Sequence, residues 1–279
     1  AGESYGGDYV PQLVSRILAD PDPPLRQSLK GFAIGNPVFS CQAWKNTANS
    51  IYVDLFYYHG LIPFSQFWMW RQTCGATPPT VPPGYASCDD FLTSITALIG
   101  NFDPDNLYTN FFTGNASLGP GPAAGTPIQN LTNTYLNRAD VQAAIHAQPA
   151  VWTQCCAEEG QSGGSCLLNY TNTWSDMLPL YQQFFTDAPE LQILIYSGDT
   201  DIATCPHAYA QLCLSELQRP LAPGGLWRPW VVDQQTAGYV EVHDRYTYAT
   251  VKGAGHEVPL FQPAAAYQLL TRFMSGQPL

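Results

Sequence analysis

The first nine residues, Ala1-Gly2-Glu3-Ser4-Tyr5-Gly6-Gly7-Asp8-Tyr9, decide how the rest of the chain is read. Within them, Gly2 to Gly6 spells G-x-S-x-G. That is the spacing of a sharp strand-to-helix turn that holds a serine in strained backbone geometry with its hydroxyl exposed. Small residues on both sides of Ser4 let strand and helix approach closely enough to make the turn. The pentapeptide is common in ordinary loops, so its chemistry depends on partners elsewhere in the chain. A serine of this kind needs an acid and then a histidine further along, each at a strand end.

Working outward, Tyr9 to Leu18 sets Val10, Leu13, Val14, Ile17 and Leu18 on one helical face, with Pro11 placed in the first turn. The run Asp20-Pro21-Asp22-Pro23-Pro24 stops this helix. Leu29 to Ile34 reads as a short apolar strand ended by Gly35-Asn36-Pro37. Strand, turn, helix, strand is the opening of a parallel α/β arrangement. From Val38 the character changes to aromatic-rich helical stretches (Ile51 to Arg71, broken at Gly60 and Pro63) and then to Pro- and Gly-rich loops. Such a segment cannot continue a doubly wound sheet and reads as a cap inserted between sheet elements.

The α/β pattern then returns, with Asn137 as the expected N-cap of a helix carrying Val141, Ala144 and Ile145. Met177 to Phe185 is another helix. Leu191 to Tyr196 is continuously apolar, as buried parallel strands are. It runs into Ser197-Gly198-Asp199-Thr200-Asp201. Tyr246 to Val251 is a further strand, closed by Gly253-Ala254-Gly255-His256-Glu257-Val258-Pro259, and Ala264 to Met274 is a final amphipathic helix. The expected division is residues 1–37 and 137–279 as the sheet-bearing core and 38–136 as the cap.

Ser4, Asp201 and His256 therefore occur in that order, each at a strand end. This is the chain order of α/β-hydrolase triads. A serine hydroxyl is a poor nucleophile until an imidazole takes its proton, and the imidazole must be held in one tautomer by a carboxylate. Asp199 competes for the acid role, but its spacing from Gly198 is less suitable than that of Asp201. Gly-Ala-Gly ahead of His256 removes side-chain bulk beside the ring.

The chain has 279 residues, a formal charge of −11 and only 12% charged residues. These features suit one large globular domain and argue against nucleic acid as a partner. No apolar run approaches the roughly 20 residues needed to span a bilayer. Eight cysteines without a C-x-x-C pair point to disulfides rather than a metal site. Cys74 with Cys88, and Cys205 with Cys213, are the expected pairs. Sequons at Asn115, Asn130 and Asn169 fit the same secretory compartment. No cofactor or metal is implied.

Taken together, Gly2 to Gly7 with Tyr9-Val10-Pro11, Lys30 to Pro37, Tyr135 to Ala147, Ile195 to Asp201 and Val251 to Pro259 resemble a serine carboxypeptidase. The resemblance implies an α/β-hydrolase fold with a helical cap. It also implies release of single residues from peptide C-termini through an acyl-enzyme, in a secreted, vacuolar or lysosomal glycoprotein favoured by acidic pH. Carried onto this sequence, Ser4 is the nucleophile, His256 the base and then acid, and Asp201 its orienting partner. The Tyr5 backbone N–H is one oxyanion donor, and Glu3 resembles the glutamate that grips the substrate's terminal carboxylate. A carboxylate can hold another only by sharing a proton, so affinity would fall as pH rises. Glu257 resembles a residue found in members that accept basic residues at the scissile bond.

The family's N-terminal strands, its glycine-rich oxyanion loop and further carboxylate-binding residues do not occur in this sequence. The chain alone is therefore expected neither to fold stably nor to turn over substrate. One of Cys155, Cys156 and Cys166 is expected to lack its partner, which would lie in that N-terminal segment. Assembly as a homodimer is compatible with this reading. Acyl transfer by the same triad and a non-catalytic binding subunit stand as the alternative functions.

Overall fold

The structure, a computed structural model, describes residues 1–21, 23–100, 102–109, 127–152 and 176–279. In chain order its first elements are β1 (Gly2–Glu3), α1 (Gly6–Ala19), α2 (Pro23–Ser28), β2 (Gly31–Gly35), α3 (Gln42–Tyr58), α4 (Phe64–Gln72) and α5 (Cys88–Ile99). Next come α6 (Pro127–Leu136), α7 (Ala139–Ala144), α8 (Leu178–Asp187), β3 (Gln192–Gly198) and α9 (His207–Ser215). The chain closes with β4 (Arg228–Val232), β5 (Gln235–Val242), β6 (Thr247–Val251), α10 (Val258–Phe261) and α11 (Pro263–Met274).

The strands form one sheet in the order β1-β2-β3-β6-β5-β4. The first four are parallel, β5 pairs antiparallel with β6, and β4 pairs antiparallel with β5. Glu3 pairs with Gly35, Gly35 with Tyr196, and Gly198 with Val251. The chain consequently leaves all four parallel strands at one end of the sheet, where α/β folds place their chemistry. This is the α/β-hydrolase arrangement expected from the sequence.

Alternation along the strands assigns residues to the two faces. Phe32, Ile34, Ile193, Ile195 and Tyr248 join one buried cluster with α1, α8 and α9. Ala33, Leu194, Tyr196, Ala249 and Val251 join another with α11. Both faces are covered, which is why β3 reads as an unbroken apolar run. Each large side chain so buried contributes about 2 kcal/mol. Helices α3, α4 and α5 make a third, aromatic-rich cluster that includes Ile202 of the acid loop.

Several local expectations change. Helix α1 begins at Gly6, directly from the turn, so Pro11 lies inside it rather than in its first turn. The β4–β5 hairpin was not legible because its turn uses Asp233 (φ 48°) and Gln234 (φ 62°) in place of glycine. The expected Cys205–Cys213 bridge is replaced by Cys41–Cys213, and Cys205 is a buried thiol. Cys213 lies inside α9, six positions past its start at His207, whereas Cys205 precedes the helix and its N-cap Pro206. The Cα atoms of Cys41 and Cys213 are 5.6 Å apart. Cys74 and Cys88 are bonded as expected.

Two compact units emerge: residues 1–108 with 175–279, and residues 109–174. The second contains α6 and α7. There Arg138, not Asn137, is the N-cap of α7. Asn137 instead donates to the Asn133 and Trp152 carbonyls and accepts from Trp152 N–H. Cys155, Cys156, Cys166, Asn115, Asn169 and the Asn130 side chain lie outside the described residues. Among the described residues, no helix is long and apolar enough to cross a membrane.

Candidate active site

Ser4 sits at φ 56°, in the left-handed region. A non-glycine residue there costs on the order of 1–3 kcal/mol and persists only when its surroundings over-determine it. They do so here. Ser4 N–H donates to Gly35 O (3.0 Å), and Ser4 O accepts from Gly7 N–H and Val38 N–H (2.9 Å each). Gly7 is required by packing, because a Cβ at that position would lie 2.2 Å from Val38 O. Tyr5 is the N-cap of α1, which sets its backbone amide at the helix N-terminus.

Asp201 is fully buried and His256 is 6% exposed. His256 Nδ1 lies 2.7 Å from Asp201 Oδ2. The same oxygen accepts from Asn36 Nδ2 at 2.9 Å and Cys205 N–H at 3.0 Å. Asp201 Oδ1 accepts from Thr204 N–H (2.9 Å) and Cys205 N–H (3.1 Å). This density of donors keeps a buried carboxylate solvated by the protein in place of water. Asp199, the competing acid, is elsewhere engaged: its Oδ1 accepts Gly253 N–H at 2.6 Å.

Asn36 is the residue that sequence reading missed. It is fully buried, at φ 39°, and all its side-chain polar atoms are used. Besides Asp201, it donates to Cys205 O (3.3 Å) and accepts Gly198 N–H (3.0 Å). Gly35-Asn36-Pro37 carried the signal, but as a strand terminator it had a sufficient structural role.

The electrostatics arise from burial and crowding. For His256, burial pulls the pKa down, but the hydrogen bond and charge of Asp201, with Asp105 and Glu3, outweigh it and leave it above the usual histidine value. Glu3 is half-buried, and burial first, then the charges of Glu257, Asp105 and Asp201, raise its pKa against the lowering effect of His256. Glu257 is exposed at the N-cap of α10, and its pKa is likewise raised by burial first and then by Asp105 and Asp103, against His256. Cys205 stays a protonated thiol, chiefly through burial and then Asp201, and shares a hydrogen bond with the Ser4 side chain. Asp201 and His256 are thus bonded at the end of the sheet that also presents Ser4, with Glu3 and Glu257 both within electrostatic reach of His256.

A serine carboxypeptidase family profile matches residues 1–276. The chain is 33% identical to serine carboxypeptidase 24 and 31% identical to serine carboxypeptidase-like 26, both of Arabidopsis thaliana, over its entire length. It spans 61% of each of those curated relatives. Among solved structures, a prohormone-processing carboxypeptidase from Saccharomyces cerevisiae superimposes with a TM-score of 0.65 at 16% identity, over 99% of this chain and 61% of that one. At that identity the likeness speaks to the fold. With the family profile matched over nearly all of its length, the chain belongs to the serine carboxypeptidase family.

Proposed function

We propose that the protein is a serine-type carboxypeptidase, releasing single residues from peptide C-termini through an acyl-enzyme. The observation that carries this reading is the buried Asp201–His256 hydrogen bond at the sheet end that also presents the strained Ser4. Because Nδ1 of His256 is engaged by Asp201, Nε2 is the nitrogen for the serine proton. Ser4 Oγ, turned from Cys205 toward that nitrogen, attacks the scissile carbonyl while the proton passes to His256. The imidazolium then protonates the departing amino group, and water repeats the sequence to release the acyl chain. The Tyr5 backbone N–H, at the helix N-terminus, donates to the forming oxyanion.

Glu3 supplies the exopeptidase character. Its raised pKa favours the protonated form that shares a hydrogen bond with a substrate carboxylate. Glu257, exposed beside the base, is assigned to interactions with a basic side chain at the scissile bond. Two disulfides and the sequons Asn115, Asn130 and Asn169 support a location in the secretory pathway.

The test labels the protein with a serine-directed fluorophosphonate and monitors residue release from a blocked dipeptide between about pH 4 and pH 7. Labelling at Ser4 together with C-terminal residue release is the expected result. Labelling with acyl transfer to an alcohol or amine, but no such release, points to the acyltransferase. Absence of labelling sinks both enzyme readings and leaves the binding subunit.

A further inference from the structure

The acid loop after β3 and the histidine loop after β6 are crossed by a short segment of the chain, residues 102–107, whose Phe102 and Leu107 are anchored in the aromatic cluster of α3–α5. Its polar groups face the two loops. Asn106 Oδ1 accepts from Thr200 Oγ1 at 2.8 Å, and Leu107 N–H donates to Thr200 O at 3.1 Å. Asp105 reaches both loops at once. Its carbonyl accepts His256 N–H at 2.6 Å, and its Oδ1 accepts from Thr204 Oγ1 at 2.6 Å. Thr204 in turn donates its backbone N–H to Asp201 Oδ1 at 2.9 Å.

Asp105 therefore bonds directly to His256 and stands one residue away from Asp201. Its own backbone is fixed by a bond from its N–H to Asp103 Oδ1 at 2.9 Å, and Asp103 and Asn106 are both buried. Gly255 is shaped to receive the segment, since a Cβ there would lie 2.3 Å from Asp105 O and 2.6 Å from Asn106 Cβ. Gly255 of the Gly-Ala-Gly run thus clears space for this strap. On the other side of Asp201 the two loops are already joined by Asp199 with Gly253 and by Thr200 N–H with Ala254 O. The strap closes the open side.

We infer that residues 102–107 form a strap that sets the spacing between the acid and histidine loops, with Asp105 as a positioning residue for the Asp201–His256 pair. This rests on the proposed hydrolase reading only for its kinetic consequences. Small displacements of a base cost rate steeply, because the reacting atoms must meet in a near-attack geometry. Asp105 also adds negative charge beside His256, which is faced as well by Asp201 from the acid loop, Glu3 from the serine turn and Glu257 from its own loop. Loss of that charge lowers the pKa of the base, so the pH above which the base is neutral moves down.

Three variants of the full protein separate these effects. Thr204→Val, which removes the hydroxyl and keeps its volume, lowers kcat about tenfold with KM within about twofold. Asp105→Asn keeps an acceptor for Thr204, so it retains most of kcat while the acid limb of the pH profile moves to lower pH. Asp105→Ala does both. In parallel, the far-downfield proton resonance of His256 Nδ1–H is expected to shift or broaden in Thr204→Val and Asp105→Ala. Unchanged kcat and pH limbs, with only a lower melting temperature, would overturn the strap. If the parent protein fails to label with fluorophosphonate, the hydrolase reading falls, and the resonance alone decides: unaltered in both variants, it overturns the strap too.

Discussion

The two ends of the central sheet handle charge in opposite ways. At the end where the parallel strands finish, Asp201 and His256 are buried, as is Asn36, and Asp201 is held by donors on both of its oxygens. At the other end, around the turn into β6, Arg219 and Asp244 form a two-pronged ion pair with side chains 30% and 31% exposed. Arg245 lies 3.9 Å from the same Asp244, and His243 lies 3.0 Å from Glu241. Water screens that second group, so its pairs contribute little to stability. Burying the first group is costly and offset only by complete hydrogen bonding. The buried, multiply hydrogen-bonded Asp201–His256 pair lies at the end of the sheet that carries the proposed chemistry.

The contrast can be broken most severely at the buried end. Ser4→Ala is expected to lower kcat/KM by about ten-thousandfold or more with the melting temperature unchanged, and Asp201→Asn by a comparable factor; steady-state peptide hydrolysis reads both. Next comes the covalent support. Reduction or Cys41→Ser/Cys213→Ser opens a loop whose ends are 172 residues apart, for which chain entropy gives a loss of about 5 kcal/mol as an upper figure. Denaturant unfolding measures it, and the Cys74–Cys88 bridge, closing a loop of separation 14, should contribute less, about 3 kcal/mol.

Asn36→Ala is a sharper test, since it keeps the Asp201–His256 pair but removes one donor to Asp201. A cost of about 2 kcal/mol in stability is expected, together with a lower kcat. A loss confined to stability would show that Asn36 serves only the fold. Glu3→Gln addresses pH. If Glu3 and His256 act as proposed, KM of the parent protein is expected to rise as pH climbs through the raised pKa of Glu3, because the shared proton is lost, and kcat to rise through the raised pKa of His256 as the base becomes neutral. The glutamine variant should flatten the KM limb and leave the kcat limb in place. At the exposed end, Arg219→Ala should cost below about 1 kcal/mol and leave activity unaltered.

Much of the site is readable along the chain. Asp201 and His256 follow strands that apolar runs announce, Ser4 is marked by its G-x-S-x-G spacing, and the glycines around them mark close approaches. Asn36 and Asp105 were hidden for a definite reason. Asn36 lies 165 residues from Asp201, and Asp105 lies 99 from Thr204, so neither contact leaves any periodicity or spacing in the chain. The Cys41–Cys213 bridge, across 172 residues, was hidden in the same way, whereas Cys74–Cys88 was local enough to read.

The sequence by itself determined what depends on neighbours along the chain. It set which runs become buried strands, where the serine turn begins, and the order in which nucleophile, acid and base appear. Tertiary structure decided which carboxylate meets the imidazole, which cysteine stays a thiol, and which side chains hold Asp201 in place. Those outcomes depend on parallel register between distant strands, and register is set by packing across both faces of the sheet. Local pattern carries backbone geometry; the pairing of distant polar groups exists only once the sheet has closed around them.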